Sequence, residues 1–234
     1  MPQDRNEPQN NNEHNDELRN DIATAARAFS RLGYVHAFGH VSQRAGHSLL
    51  ITPTRPPLAK QQAADVIEVD LDGRVIDGDA AARPIEVFLH IGIYASREDV
   101  RAICRTHAPS ASIWPAQGKI PVIQHGFGGI ARDIAVYEGC DLIHDAELGG
   151  RAAKRLGEAD ALLMRGNGVL TVGRNIGEAA ARMWSLEERF AQVGRQGAQQ
   201  VSFSAQELAA RARWYPAEVE RIWMWLKHVG SSEW

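Results

Sequence analysis

The chain has 234 residues, 24% charged and 44% hydrophobic, with a formal net charge of −3. That is the composition of a globular domain large enough to bury a substantial core. It has no basic excess for nucleic acid, and no apolar run nears the ~18–20 residues needed to cross a bilayer.

Residues 1–15 are mostly Asn, Gln, Glu and Asp and read as a disordered tail ahead of one domain, 16–234. The tail lacks the apolar segment of a signal peptide. With only Cys104 and Cys140 there is no disulfide framework, so a cytoplasmic setting is expected. Leu18, Ile22, Ala25, Ala26, Phe29 and Leu32 share one helical face, and Gly33 is placed to end that helix. Leu49 to Thr52 is a short apolar strand stopped by Pro53. "VIEVDLDGRVI" reads as a hairpin turning at Asp72-Gly73. Ile85 to about Ala95 is helical, with Val87, Phe88, Ile91 and Tyr94 as the buried side, and Val100 to His107 is a strand.

In the second half "IPVIQ" reads as a strand leading into "HGFGG". A helix over Leu148 to Leu156 precedes "ALLMR" and "VLTV", two strands joined by a "GNG" turn. A long helix runs from Ile176 to about Gln192. Ser204 to Glu207 is a capping-box start, and Pro216 opens a last helix to Lys227. The early hairpin and the meander-like spacing favour a mixed, mostly antiparallel sheet flanked by helices over a parallel one.

Four places carry residues suited to chemistry. "FGHVSQR", followed by "ITPTR", reads as a glycine-containing loop whose Ser42 and Arg44 could hold an anion. Glu86 and His90 are four apart on a helix and project from one face, where a carboxylate can act as ligand or acid/base. Arg105 and His107 share one face of a strand, and Arg165 and Asn167 sit at the apex of the "RGNG" turn. Read singly, each could equally be a turn, a solvated charge or a satisfied core residue.

Taken in order, these segments resemble the class II aldolase/adducin family over roughly residues 17–195. The matching elements are Gly39-x-x-Ser42-x-Arg44, Thr52-Pro53-Thr54, Glu86 with His90 and Tyr94, "REDVRAICRTHAP", "LLMRGNGVLTVG", and Glu178-Ala179 with Leu186-Glu187. The resemblance implies an α/β fold with a mostly antiparallel sheet, a homotetramer with sites near subunit interfaces, and a small anionic substrate. It also implies Glu86 as acid/base and three histidines around a divalent metal, which would stabilise an enediolate.

The sequence departs from that pattern where Arg105 and Asn167 stand at two of the three histidine positions, leaving His107. Two arrangements remain open. Glu86, His107 and Asn167 could hold a hard ion such as Mg²⁺ or Mn²⁺, helped by His125; Zn²⁺ would suit the set poorly. Alternatively Arg105 and Arg165 replace the cation. The expected catalytic residues are Glu86, Arg105 and His107, with Ser42, Arg44, Thr52, Thr54 and Arg165 binding substrate. Several arginines favour a decarboxylase of a hydroxylated acid, aromatic acids included. The rivals are an aldolase and a non-catalytic adducin-like scaffold.

Overall fold

The computed structural model describes residues 7–114, 120–196 and 201–231. Its strands are β1 (His40–Ala45), β2 (Ser48–Ile51), β3 (Ile67–Asp70), β4 (Val75–Asp77), β5 (Ala102–Thr106), β6 (Ile134–Tyr137), β7 (Ala161–Met164) and β8 (Val169–Gly173). They form one sheet in the order β4-β3-β2-β1-β5-β8-β7-β6. Each neighbouring pair is antiparallel except β6 with β7. The expected fold class is therefore the observed one.

The helices are α1 (Glu7–Arg31), α2 (Val87–Ser96), α3 (Pro109–Ile113), α4 (Ala146–Leu156), α5 (Ile176–Gln196), α6 (Ala205–Ala212) and α7 (Tyr215–Val229). On one face of the sheet Phe29 of α1, Met183 of α5 and Leu226 of α7 share a core with Cys104 of β5. On the other, Leu89 and Ile93 of α2 and Ala152 of α4 share a second core with Ile103 of β5. Alternation along β5 thus sends Arg105 to the α2 side with Ile103. No helix of the described residues is long and apolar enough to cross a membrane.

Four segments differ from the sequence reading. Helix α1 starts at Glu7, inside the stretch read as a tail, because each added turn extends an existing helix at one hydrogen bond per residue; residues 1–6 lie outside the described residues. "IPVIQ" is extended but joins no strand. The carbonyl of Pro121 accepts from Arg189, and that of Ile123 accepts from Phe203 N–H. The sheet's edge is instead Ile134–Tyr137, unread in the sequence. "HVSQRA" is strand β1 rather than a loop.

Helices α2 and α4 cross with glycine against backbone. A Cβ on Gly149 would lie 2.2 Å from the Phe88 carbonyl oxygen, and one on Gly92 would lie 2.5 Å from Gly149. Gly150 next door faces open space. Gly149→Ala is expected to cost ~1–3 kcal/mol, read as a lower urea midpoint, because the obstructing atom is backbone and cannot turn aside. Gly150→Ala should gain ~0.5–1 kcal/mol through helix propensity. Equal effects from the two would show that the helices do not touch there.

Candidate active site

Arg105 lies at the carboxyl end of β5, between His40 of β1 and Leu170 of β8 in register. It is only 2% exposed. Its Nη2 is 3.2 Å from Glu86 Oε2, and the same nitrogen donates to the side-chain and main-chain oxygens of Asn167. Glu86 is the residue before α2, but its carboxylate does not cap the helix. Its Oε1 instead accepts from Asn167 Nδ2 at 2.6 Å and from the Ile143 N–H at 3.2 Å.

Asn167 is brought in by the turn between β7 and β8. Gly166 (φ +73°) and Gly168 (φ +76°) flank it in left-handed backbone that other residues rarely adopt. A Cβ on Gly168 would lie 2.2 Å from the Thr106 carbonyl oxygen, so glycine also lets the turn close onto β5. Glu86, Arg105 and Asn167 thus form a closed triad, contributed by one helix start, one strand end and one turn.

The triad floors a cavity of about 430 Å³ that His40, Thr54 and His107 also line. Phe38, Ile85 and Leu142 form its rim and are 69%, 61% and 49% exposed. His107 is half-buried against Phe38. Burial first, and then the Arg105 charge, pushes its pKa down to about 4. Nδ1 of His40 and both Nε and Nη1 of Arg105 are buried and lack hydrogen-bond partners.

Other expected binding residues are placed elsewhere. Ser42 is sealed, its Oγ 2.7 Å from His90 Nδ1 and 2.8 Å from the Tyr94 hydroxyl. Arg44 stacks over Tyr94 and donates to the carbonyls of Tyr94 and Arg97. Thr52 Oγ1 accepts from the Val41 N–H. Thr54 reaches the cavity while donating to the Ala82 carbonyl. Arg165 is exposed and does not line the cavity; His125 accepts from Gly128 N–H and does not line it either.

The motif residues form a seam. His90 and Tyr94 face His40, Ser42 and Arg44 across the α2–β1 contact, and Glu86, just before α2, meets Arg105 of β5. Four helix residues rise ~6 Å and two strand residues ~6.6 Å, so the two rows stay in step. His40 went unread as a site residue because its loop assignment hid that strand alternation puts it on the face of Ser42 and Arg44.

The donors do not fit a divalent cation. Asn167 Oδ1 is taken by Arg105, Glu86 Oε1 accepts two hydrogen bonds while Oε2 is ion-paired with Arg105, and that guanidinium stands among them to repel a second cation. Among the described residues no group of three or more His, Cys, Asp and Glu is arranged to hold a metal.

Comparison with known proteins gives a consistent lineage. Residues 20–193 match the family model described as the Class II Aldolase and Adducin N-terminal domain. The chain is 28% identical over 178 residues to an L-fuculose phosphate aldolase of Methanocaldococcus jannaschii, covering 72% of this chain and 90% of that one. It is 28% identical over 189 residues to the 3,4-dihydroxyphthalate decarboxylase of Arthrobacter keyseri, covering 72% and 74%. Its fold superposes on the L-fuculose 1-phosphate aldolase of Glaciozyma antarctica PI12 with a TM-score of 0.80 at 22% identity, covering 98% and 94%.

Burial and the Arg105 charge also hold His90 down to about 3 and His40 well below the ordinary imidazole range. The unfolded chain takes up these protons near pH ~6.5 while the folded one refuses them. Their contribution to stability is therefore complete above about pH 6.5 and falls as pH drops through acid values towards about 3, where His90 protonates in the fold. Urea midpoints at pH 7 and pH 5 should show the loss, and His90→Gln should reduce the difference. An unchanged midpoint would mean that these imidazoles protonate freely in the fold.

Proposed function

Since the chain belongs to the class II aldolase and adducin family, we propose that it is a carbon–carbon lyase, acting as a decarboxylase of a hydroxylated carboxylic acid. The observation that supports this most is the Glu86–Arg105 pair on the floor of a cavity with an apolar rim. Family membership supports the lyase class, and relatives named as aldolases and a decarboxylase support cleavage beside an oxygenated carbon.

In this reading the bond from the carboxyl carbon to its neighbour breaks and carbon dioxide leaves. The electron pair stays on the substrate as an enolate-type anion, which the Arg105 charge stabilises. Glu86 Oε2 is ion-paired with Arg105 and accepts no hydrogen bond among the described residues, whereas Oε1 accepts two, so Oε2 is the oxygen that exchanges a proton with the substrate. It takes the proton of a hydroxyl on the ring carbon next to the one bearing the carboxyl group and delivers it to the carboxyl-bearing carbon before the bond breaks, so that the hydroxyl carbon becomes the carbonyl into which the electron pair passes. A solvent proton then restores the hydroxyl. His107, kept neutral at physiological pH, can accept a hydrogen bond at the cavity wall.

Glu86→Gln keeps the shape but removes the proton carrier, so kcat should fall by ~10²-fold or more. Carbon dioxide release from a panel of hydroxylated aromatic and aliphatic acids measures this. Near-normal kcat in the variant would remove Glu86 from the acid/base role. An aldolase would instead cleave sugar phosphates without releasing gas, and an adducin-like scaffold would turn over neither set.

Assembly belongs to the same proposal. Trp214, Met224 and Trp225 are 53%, 60% and 39% exposed on and beside α7, an apolar surface of the kind that subunits cover. Light scattering at micromolar concentration should give a homo-oligomer, a tetramer by family pattern; a monomer would refute it.

A further inference from the structure

Arg105 keeps one nitrogen busy and two idle. Nη2 serves Glu86 and Asn167, while Nε and Nη1 carry N–H groups that meet no acceptor. His40, its register partner on β1, has a buried and equally unclaimed Nδ1. Both side chains border the same cavity. Buried polar groups are nearly always paired, so the two Arg105 donors and the His40 Nδ1, which donates in the tautomer that carries its proton there, mark a place where an acceptor belongs.

We propose that Arg105 is this site's resident cation, standing in for a divalent metal, and that Arg105 and His40 together receive the carboxylate of a small acid with an apolar body. Glu86 cancels the guanidinium charge, so the floor is close to neutral and an anion meets N–H groups without a strong opposing field. An entering metal ion would meet the guanidinium and find Glu86 and Asn167 already engaged. His40 is held neutral by burial and by Arg105, so it offers a hydrogen bond without adding a second charge. The rim of Phe38, Ile85 and Leu142 supplies apolar walls, which suit a ring or alkyl body better than a polyhydroxylated chain. The fate of the acid rests on the lyase reading; its binding does not.

The test is binding, read by calorimetry on the full chain in the presence of EDTA, with salicylate and benzoate as probes and phenol as the carboxyl-free control. At least one acid should bind and phenol should not. Added Mn²⁺ should leave the affinity unchanged and give no bound-ion signal by electron paramagnetic resonance. Arg105→Gln should weaken acid binding ~10-fold or more, and His40→Leu should weaken it several-fold. Arg105→His combined with Asn167→His, which restores the imidazoles beside His107, should acquire Zn²⁺ binding that the parent lacks. If the Arg105 variants do not fold, the His40 variant and the wild-type titrations decide.

Acid binding that requires Mn²⁺, equal binding of phenol, or no acid binding at all in EDTA would each overturn the proposal. Metal-free acid binding with no turnover of any acid would overturn the lyase reading and leave this one standing. Turnover that depends on added metal would do the reverse.

Discussion

The constraint on which the site depends is the burial of one guanidinium. A charge at the Arg105 position must be repaid by partners, since removing one member of a buried ion pair costs about 3–5 kcal/mol. Those partners come from three distant parts of the chain: Glu86 before α2, Asn167 between β7 and β8, and the Ile143 main chain that steadies Glu86. The glycines at 166 and 168, the abrupt start of α2 and the seating of the 142–143 segment all follow from delivering those groups to one point. A histidine at 105 would need none of this pairing and would leave the carboxylate and the amide free for a metal.

The same charge sets the state of its surroundings. His40, His90 and His107 lie within its field, and each is held neutral by it in addition to burial. The cavity floor therefore has a single fixed cation and a single fixed anion, with neutral imidazoles around them. Such a floor can bind an anion tightly in the geometry the guanidinium dictates while keeping a neutral ring ready to accept a hydrogen bond.

Much of this was legible in the sequence, and the failures have one cause. Helix faces, the Asp72-Gly73 hairpin, the capping box at Ser204 and the "RGNG" turn are local patterns, and they stand where the spacing put them. The position of Glu86, Arg105, His107 and Asn167 around one cavity followed the motif order. What could not be read was pairing between distant segments. "IPVIQ" has strand-forming residues but no ladder partner, whereas Ile134–Tyr137 has residues at least as suited to a strand and also a partner in β7. Ser42 and Arg44 have the residue types of an anion loop. Only the register of β1 against β2 and β5 shows that they point under α2 rather than into the cavity.

The match between α2 and β1 is close without being equal. Each pairing step runs ~6 Å along the helix and ~6.6 Å along the strand, so the two scales slide apart like those of a vernier. Over the span from His90 to Tyr94 the slip is about half an ångström, which side chains absorb by leaning. A few steps further it would approach half a spacing, and each polar group would face a gap between two partners. The row of buried polar contacts is thus self-limiting in length. A deeper polar channel could not be made in this fold by lengthening α2 and β1 together; it would have to open sideways, towards the strands that flank β5.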